Sequence, residues 1–282
     1  MERQLQNQFH KTTSIEQHNI YEYRKLEWDT NYFGVKSARV ALKDKINRNE
    51  WVKIRNLIVE NDFVVIDNIN NDSTNNFFIS NLLGVFLTDI NFQFIKKIKN
   101  DENAKIEESG NIVIKNSMEY SEKIVDISKK SYKYSRFFND PFLDKEKSEN
   151  IYSHWVESAF LNESKYFLYY NEGSNILGYI LFSIDNENKK AIIELISVEE
   201  NVKNKKIGSS MMYRLESFLM HNFSDLEVLQ VGTQSNNTKA INFYIKNGFR
   251  VKELRSVYHY WPNFMLNNMD GAVNEEVAAT RK

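Results

Sequence analysis

Two short segments of this chain carry residue types that can bind an anion and act on a reacting group. The first, VKNKKIGSS from Val202 to Ser210, places three lysines in a turn between an apolar strand pattern and a helical pattern. Because the free N–H groups and the macrodipole of a helix N-terminus attract anions, this turn is predicted to hold a pyrophosphate. The second, NNTKAINFYIKNGF from Asn236 to Phe249, follows another strand pattern and carries Tyr244. A phenol with a pKa of about 10 stays protonated at neutral pH and can give its proton to a basic leaving group.

Each segment alone also has a purely structural explanation. A basic turn before a helix is usually a solvated loop, and a tyrosine at helical spacing is usually a packed core aromatic. Asn237 fits a helix N-cap as well as a ligand contact, and Gly248 is a natural left-handed residue just after a helix. It is the succession of strand, basic turn, helix, strand and tyrosine helix that favours a binding site.

The order and spacing of these residues resemble the GNAT superfamily of N-acetyltransferases. Val198 and Gly208 are ten residues apart, which matches the spacing from strand end to turn glycine in that superfamily. Lys203 falls at the position of its arginine or glutamine. Asn204 stands where glycine is common, and Lys206 replaces the first of two paired glycines. Asparagine tolerates the left-handed conformation, whereas lysine does so less easily, so Lys206 either alters the turn or offers its ammonium to the phosphates.

The resemblance implies an α/β fold, a mixed twisted sheet with flanking helices, and acyl-coenzyme A as the acyl donor. It implies that Tyr244 protonates the departing thiolate, that Asn237 bonds the pantetheine arm, and that strands ending at Val198 and Thr233 splay apart to admit it. The predicted coenzyme A site comprises Ile196, Val198, Lys203, Asn204, Lys205, Lys206, Ile207, Gly208, Ser209, Asn237 and Tyr244.

The base that would deprotonate an attacking amine is less clearly marked. Glu194, an acid inside the apolar run AIIELISV, is the strongest candidate, because burial raises the pKa of a carboxyl group towards a useful range. A salt-bridged or solvent-facing glutamate is an equal alternative. His154 is a weaker candidate, since a histidine beside a tryptophan on a helix is more often structural.

Two further segments resemble bacterial dTDP-amino-sugar N-acyltransferases, such as the dTDP-fucosamine acetyltransferases. They are LEWDTNYFGVKSARV (residues 26–40) and YSRFFNDPF with YSHWVESAF (residues 134–160). The implied acceptor is the amine of a dTDP-linked amino-dideoxy sugar for surface polysaccharide (lipopolysaccharide) synthesis, and the acyl group is acetyl or longer, such as 3-hydroxybutyryl. Aromatic planes can cover a base or sugar, and arginine can pair with a diphosphate. Alternatively, these side chains close the core and the arginine lies on the surface. The predicted acceptor residues are Tyr134, Arg136, Phe138, Trp155 and Thr233.

Composition excludes several other classes of protein. The 37 basic and 38 acidic residues give a net charge of −1, so the chain lacks the basic footprint of a nucleic-acid-binding protein. With no cysteine there is no disulfide or thiolate, and the five histidines show no metal-ligand spacing. No run reaches the roughly 20 apolar residues of a membrane span, and the start of the sequence is polar. We therefore expect a cytoplasmic protein without a metal or membrane partner.

The polar stretch from Lys99 to Asn111 predicts a boundary between two domains. The expected division is a smaller N-terminal α/β domain over residues 1–104, an acyl-coenzyme A-dependent GNAT domain over 105–264, and a disordered tail over 265–282. By resemblance, the chain forms a homodimer. Two alternatives stay open: an acyltransferase acting on a protein, peptide or small-metabolite amine, and a non-catalytic coenzyme A-binding protein.

Overall fold

The computed structural model of the protein describes residues 15–17, 20–98, 110–132 and 134–262. The chain forms two compact units that interleave along the sequence. The larger unit contains the described residues of Phe92–Phe138 and Asp144–Lys252, and the smaller unit those of Gln8–Asn91, Asn139–Leu143 and Glu253–Lys282. The predicted boundary between residues 104 and 105 and the predicted tail lie outside the described residues, and both stay predictions.

The smaller unit is a mixed sheet with helices, in the strand order β1 (Ile15–Gln17), β2 (Tyr21–Lys25), β3 (Ser37–Leu42), β4 (Phe63–Ile69) and β11 (Arg250–Tyr260). Its strands β3 and β4 run parallel and are joined by a helix, whereas β2 and β11 pair with them in the antiparallel direction. A core of buried aliphatic and aromatic side chains lies under these helices. The elements in this part of the chain are β1 (Ile15–Gln17), β2 (Tyr21–Lys25), α1 (Glu27–Phe33), β3 (Ser37–Leu42), α2 (Arg48–Ile58), β4 (Phe63–Ile69) and α3 (Ser73–Ser80).

The larger unit is also a mixed sheet flanked by helices, in the strand order β5-β10-β9-β8-β7-β6. Strands β6 to β9 form an antiparallel meander, and β9 and β10 are parallel. The remaining elements of the chain are β5 (Val85–Lys97), β6 (Ile112–Asn116), α4 (Glu122–Ser131), α5 (Lys145–Ala159), β7 (Lys165–Glu172), β8 (Asn175–Asp185), β9 (Lys190–Val198), a short 3-10 turn (Glu200–Val202), α6 (Ile207–Asn222), β10 (Val228–Gln234), α7 (Thr238–Lys246) and β11 (Arg250–Tyr260).

Apolar periodicity explains how α6 is held on the sheet. Ile207, Met211, Leu215 and Leu219 recur every four residues, so they line one face of the helix, and all four are buried in the core of the larger unit. This packing fixes the N-terminus of α6 just after the end of β9.

The predicted succession of strand, basic turn, helix, strand and tyrosine helix is found as β9, α6, β10 and α7. Strands β2 and β11 and the short helix α1 were not predicted, because mixed charged and aromatic segments show weak local periodicity and are fixed by pairing with distant strands. Leu26 and Gly34 flank α1, and the left-handed Gly34 (φ 80°) ends it, which matches a tight turn in this segment. Within the described ranges, no helix is long and apolar enough to span a membrane.

Candidate acyl-donor site

The pairing between β9 and β10 stops halfway along the two strands. Four pairs join them, from Lys190 with Val228 to Ile193 with Val231. Beyond that point β9 continues to Val198 and keeps its pairing with β8, while β10 continues to Gln234. The backbone groups of residues 194–198 that face β10 therefore have no strand partner there. We call this divergence the strand opening. It is the splay that the resemblance predicted.

Glu194 lies at the branch point of the strand opening. The β8–β9 register passes from Leu181 with Leu195 to Phe182 with Ile193, so Glu194 is the extra residue of a β-bulge. Both of its carboxylate oxygens accept from Lys165 Nζ, at 2.5 and 2.6 Å.

The ion pair is shielded from water, with side-chain exposures of 2% for Lys165 and 0% for Glu194. Burial lowers the pKa of Lys165, whereas the facing carboxylate raises it. This geometry corresponds to the salt-bridge alternative for Glu194, because proton abstraction from an amine would require breaking the pair. His154, the weaker base candidate, lies on the exposed side of α5, 3.3 Å from Glu157.

The turn before α6 contains two residues in the left-handed conformation. Asn204 and Lys206 both have positive φ, 68° and 64°. Asparagine therefore substitutes for glycine as expected. Lysine takes the same left-handed conformation despite its Cβ, at a cost of roughly 1–2 kcal/mol. Lys206 is the N-cap of α6 and offers no side-chain cap to the helix.

The first N–H groups of α6 point out of this turn, because a helix start leaves them without intrahelical acceptors. Lys203, Lys205 and Lys206 are all exposed around it. Lys203 also forms an ion pair with the exposed Glu200, and such surface pairs contribute little. Ser209 is half-buried in the first turn of the helix. Free N–H groups, a positive helix end and lysines make this turn suited to a diphosphate.

Close packing between α6 and α7 requires a glycine at the start of α6. A Cβ added at Gly208 would lie 3.1 Å from the ring of Phe243, which is on α7. The absence of a side chain at Gly208 therefore lets the loop-bearing helix lie against the helix that carries Tyr244. Ile196 and Val198, half-buried on β9, pack against the same core.

Tyr244 is 3% exposed and packs its ring against three phenylalanines, with centroid distances of 5.6 to 5.7 Å. Its hydroxyl makes no hydrogen bond to any described residue. Burial alone raises its pKa well above the usual value for tyrosine, so the phenol is neutral at physiological pH. A hydroxyl that makes no hydrogen bond within the described residues is a group that a ligand sulfur or oxygen can satisfy.

Asn237 and Thr233 lie near the end of β10. The side chain of Asn237 caps α7 by accepting from the N–H of Ala240 at 3.2 Å, so the N-cap interpretation holds and a pantetheine contact stays a prediction. Thr233 is buried in the segment of β10 that no longer pairs with β9.

The predicted acceptor residues divide into two groups. Arg136 is 0% exposed, with its guanidinium carbon 3.9 Å from the ring centroid of Phe137, and Trp155 is 2% exposed and packed against Phe137. Both therefore belong to the interior; the arginine is neither on the surface nor open to a diphosphate in this conformation. Tyr134 is 42% exposed and Phe138 is partly exposed, so contact with an acceptor stays a prediction for these two.

Sequence reasoning missed two features near the strand opening. Lys165, the partner of Glu194, opens the apolar run KYFLYY, and a single lysine in such a run was the available signal. The hydroxyls of Tyr132 and Tyr179 meet at 3.2 Å, a contact between residues 47 positions apart that no local pattern reveals. Among the described residues no group of histidines and acids could hold a metal ion.

Comparison with known proteins identifies the segment that contains the strand opening. Residues 127–249 match the model of the Acetyltransferase (GNAT) family. YdhI, an uncharacterised protein of Bacillus subtilis, is 30% identical over 84 residues, a match that covers 30% of this chain and 49% of that protein. The match thus spans about half the length of this relative.

Solved structures share the fold at low sequence identity. A functionally unknown conserved protein from Staphylococcus epidermidis aligns with a TM-score of 0.58 and 12% identity, over 90% of this chain and 96% of that chain. A tandem GNAT protein from the clavulanic acid biosynthesis pathway aligns with a TM-score of 0.56 and 13% identity, over 90% of this chain and 84% of that chain. A GCN5-related N-acetyltransferase from Kribbella flavida aligns with a TM-score of 0.59 and 9% identity, over 95% of each chain. These likenesses confirm the predicted mixed α/β fold.

Proposed function

We propose that this protein is an acyl-coenzyme A-dependent N-acyltransferase. The observation that carries the proposal is the strand opening. It is followed along the chain by the uncapped N-terminus of α6 and by the phenol of Tyr244, which makes no hydrogen bond within the described residues. The α6 turn with Lys205 and Lys206 would hold the pyrophosphate, and the unpaired edge of β9 near Val198 would bond the pantetheine arm. The thioester supplies an activated acyl group.

The residues around the strand opening supply positioning and one proton. Backbone N–H groups near Val198 stabilise negative charge on the thioester oxygen. The neutral phenol of Tyr244 donates a hydrogen bond and then its proton to the departing sulfur. Glu194 holds the bulge through Lys165, and the proton lost by the amine leaves to solvent.

The proposed acceptor is the primary amine of a dTDP-linked amino-dideoxy sugar. The support is the resemblance of residues 26–40 and 134–160 to enzymes of that class and the exposed ring of Tyr134, which can stack on a base or sugar. Arg136 and Trp155 do not add to this support, because both are buried. An acceptor amine on a protein, peptide or small metabolite is the second candidate.

A thiol-release assay tests the proposal. Acetyl- and 3-hydroxybutyryl-coenzyme A would be offered with dTDP- and UDP-linked 3-amino and 4-amino sugars, and with lysine peptides and polyamines in parallel. Release with one nucleotide sugar supports the acceptor class, whereas release only with a peptide or polyamine overturns it. If calorimetry shows that coenzyme A binds, but none of the amines leads to release of free thiol, a non-catalytic binding protein is favoured.

Tyr244→Phe tests the chemistry separately from the acceptor. Because the hydroxyl has no partner among the described residues, phenylalanine keeps the ring packing. We expect turnover to fall by about 100-fold, with little change in the dissociation constant of coenzyme A. The matched control is Tyr213→Phe, at a tyrosine that is 53% exposed on α6. Wild-type turnover in Tyr244→Phe would contradict the assignment of Tyr244 as the proton donor.

A further inference from the structure

A chain of hydrogen-bonded hydroxyl groups runs from the end of α4 towards the strand opening. Ser128 Oγ donates to the carbonyl oxygen of Ile124 at 2.7 Å. The same Oγ lies 2.7 Å from the hydroxyl of Tyr179, which lies 3.2 Å from the hydroxyl of Tyr132. We call these three side chains the hydroxyl chain.

The direction of each hydrogen bond in the hydroxyl chain follows from counting hydrogens. A hydroxyl has one hydrogen to donate and two lone pairs. Ser128 uses its hydrogen on Ile124, so Tyr179 donates to Ser128, and Tyr132 donates to Tyr179. All three hydroxyl hydrogens therefore point along the hydroxyl chain from Tyr132 towards Ile124. Among the described residues Tyr132 makes no other hydrogen bond, so its oxygen is left as an acceptor only.

The end of α4 is hydrogen-bonded to β8 through Tyr132 and to β9 through Ser131. Tyr179 on β8 lies directly opposite Ser197 in the β8–β9 register, and Ser197 belongs to the part of β9 that no longer pairs with β10. Ser197 Oγ donates to Ser131 Oγ at 2.6 Å. Because Ser131 precedes Tyr132, these bonds place the phenol of Tyr132 beside the unpaired segment of β9.

Tyr132 and Tyr244 approach the strand opening from opposite faces of the sheet. Successive strand residues point to opposite faces. Ile180 packs in the same core as Tyr244, so its neighbour Tyr179, together with Tyr132, belongs to the other face. Burial first, and the neighbouring Tyr179 second, raise the pKa of Tyr132, so its phenol is neutral at physiological pH.

We propose that Tyr132 is a catalytic residue that accepts a hydrogen bond from the attacking amine and aims its lone pair at the thioester carbon. This inference rests on the proposed function. The acyl donor would be held from the α6–α7 face, and an uncharged primary amine would enter from the α4 face. The amine N–H donates to the oxygen of Tyr132 while the new N–C bond forms and the C–S bond breaks.

Every proton in the reaction is accounted for without a base in the hydroxyl chain. The chain ends at the carbonyl of Ile124, so it cannot take up a proton, and the surplus amine proton leaves to solvent. Tyr244 gives its proton to the sulfur and regains one from solvent. Tyr132 therefore orients the amine and does not deprotonate it.

The test compares Tyr132→Phe, Tyr179→Phe and Ser128→Ala in the full chain, with the best acceptor from the thiol-release panel. Phenylalanine at position 132 keeps the ring stacked on Tyr152 at 4.6 Å. We expect kcat/KM for the amine to fall about tenfold in Tyr132→Phe, roughly threefold in Tyr179→Phe and least in Ser128→Ala. The KM for acyl-coenzyme A should not change in any of them.

If the hydroxyl chain has only a structural role, Tyr179→Phe should lose more activity than Tyr132→Phe. Tyr179 is 0% exposed, whereas Tyr132 is partly exposed, so loss of packing and hydrogen bonding would affect melting temperature and activity most at Tyr179. Activity loss in Tyr179→Phe larger than in Tyr132→Phe, or wild-type kcat/KM in Tyr132→Phe, overturns the inference while the proposed function stands. A wild-type protein that releases no thiol with any amine overturns both.

Discussion

Two strand–helix–strand segments of this chain, one in each unit, have the same order of elements but differ at the places where a phosphate-bearing ligand would bind. In the larger unit the segment is β9–α6–β10, and in the smaller unit it is β3–α2–β4; both pairs of strands are parallel. The strands of the smaller unit stay paired over six positions, from Ser37 with Phe63 to Leu42 with Asn68. Of these two parallel strand pairs, only β9–β10 separates to form a strand opening.

Buried ion pairs act in opposite ways in the two segments. Arg39 and Asp67 lie on β3 and β4, and Arg39 Nε donates to the carboxylate at 2.7 Å, so this pair links the two parallel strands to each other. Glu194 on β9 instead bonds Lys165 on β7. The same chemistry therefore closes one strand pair and holds a bulge where the other pair separates.

The helix N-termini differ as well. Asn47 Oδ1 caps α2 by accepting from the N–H groups of Asn49 and Glu50, and the carboxylate of Glu50 accepts from the N–H of Asn47. These N–H groups are satisfied within the protein, and Glu50 repels an anion. The N-terminus of α6 has no side-chain cap and three lysines around it. This difference supports the start of α6, rather than the start of α2, as the proposed phosphate site.

The largest expected effect comes from breaking the ion pair at the strand opening. Lys165→Met leaves a buried carboxylate without its cation and should lower the free energy of unfolding by about 3–5 kcal/mol. The double variant Lys165→Met/Glu194→Leu should recover most of that loss, since apolar residues of similar volume often replace a buried pair at little cost. Denaturant unfolding measures both.

Coenzyme A binding shows whether this pair shapes the strand opening. We expect Lys165→Met/Glu194→Leu to bind coenzyme A about tenfold more weakly, because the bulge loses its anchor and the site its geometry. The matched control, Arg39→Met/Asp67→Leu in the smaller unit, should leave the affinity unchanged. Equal affinities in the two double variants would show that the pair at the bulge has no special role.

The second prediction reverses two charges at each helix start. Lys203→Glu/Lys206→Glu should weaken coenzyme A binding by roughly 100-fold, because two attractive charges near the phosphates become repulsive. Lys45→Glu/Arg48→Glu changes the net charge equally at the start of α2 and should alter the affinity less than about twofold. Calorimetry measures both, and wild-type binding should show about one site per chain.

Similar losses in the two charge-reversal variants would mean that the lysines act only through the overall field of the protein. Unchanged binding in the first variant would remove the phosphate role of the α6 turn altogether.

Local patterns predicted the parts of the site that lie within one segment. The positive φ at Asn204 and the capping role of Asn237 follow from residue type and position alone. Lys165 and Glu194 are 29 residues apart, and only the alignment of β7 to β9 brings them together. Arg136 was expected to face a ligand or solvent, yet the interior of the larger unit encloses it. Periodicity within a segment does not contain these long-range contacts.

The smallest expected effect separates the backbone role of Lys206 from its charge. Lys206→Gly removes left-handed strain of roughly 1–2 kcal/mol, which the greater freedom of glycine in the unfolded chain partly offsets. We therefore expect the free energy of unfolding to rise by about 0.5–1 kcal/mol. Asn204→Gly is the control and should change it by only a few tenths of a kcal/mol, since asparagine already tolerates this conformation.

A substitution at the start of α2 should change the free energy of unfolding in the opposite direction. Asn47→Ala removes a side-chain cap and should lower the free energy of unfolding by about 1 kcal/mol, whereas α6 has no such cap to lose. If Lys206→Gly stabilises the protein yet weakens coenzyme A binding severalfold, the lysine is retained for its ammonium at the expense of turn geometry. Stabilisation with unchanged binding would instead assign phosphate recognition to the N–H groups of α6 alone, with Lys206 a strained residue that the site does not use.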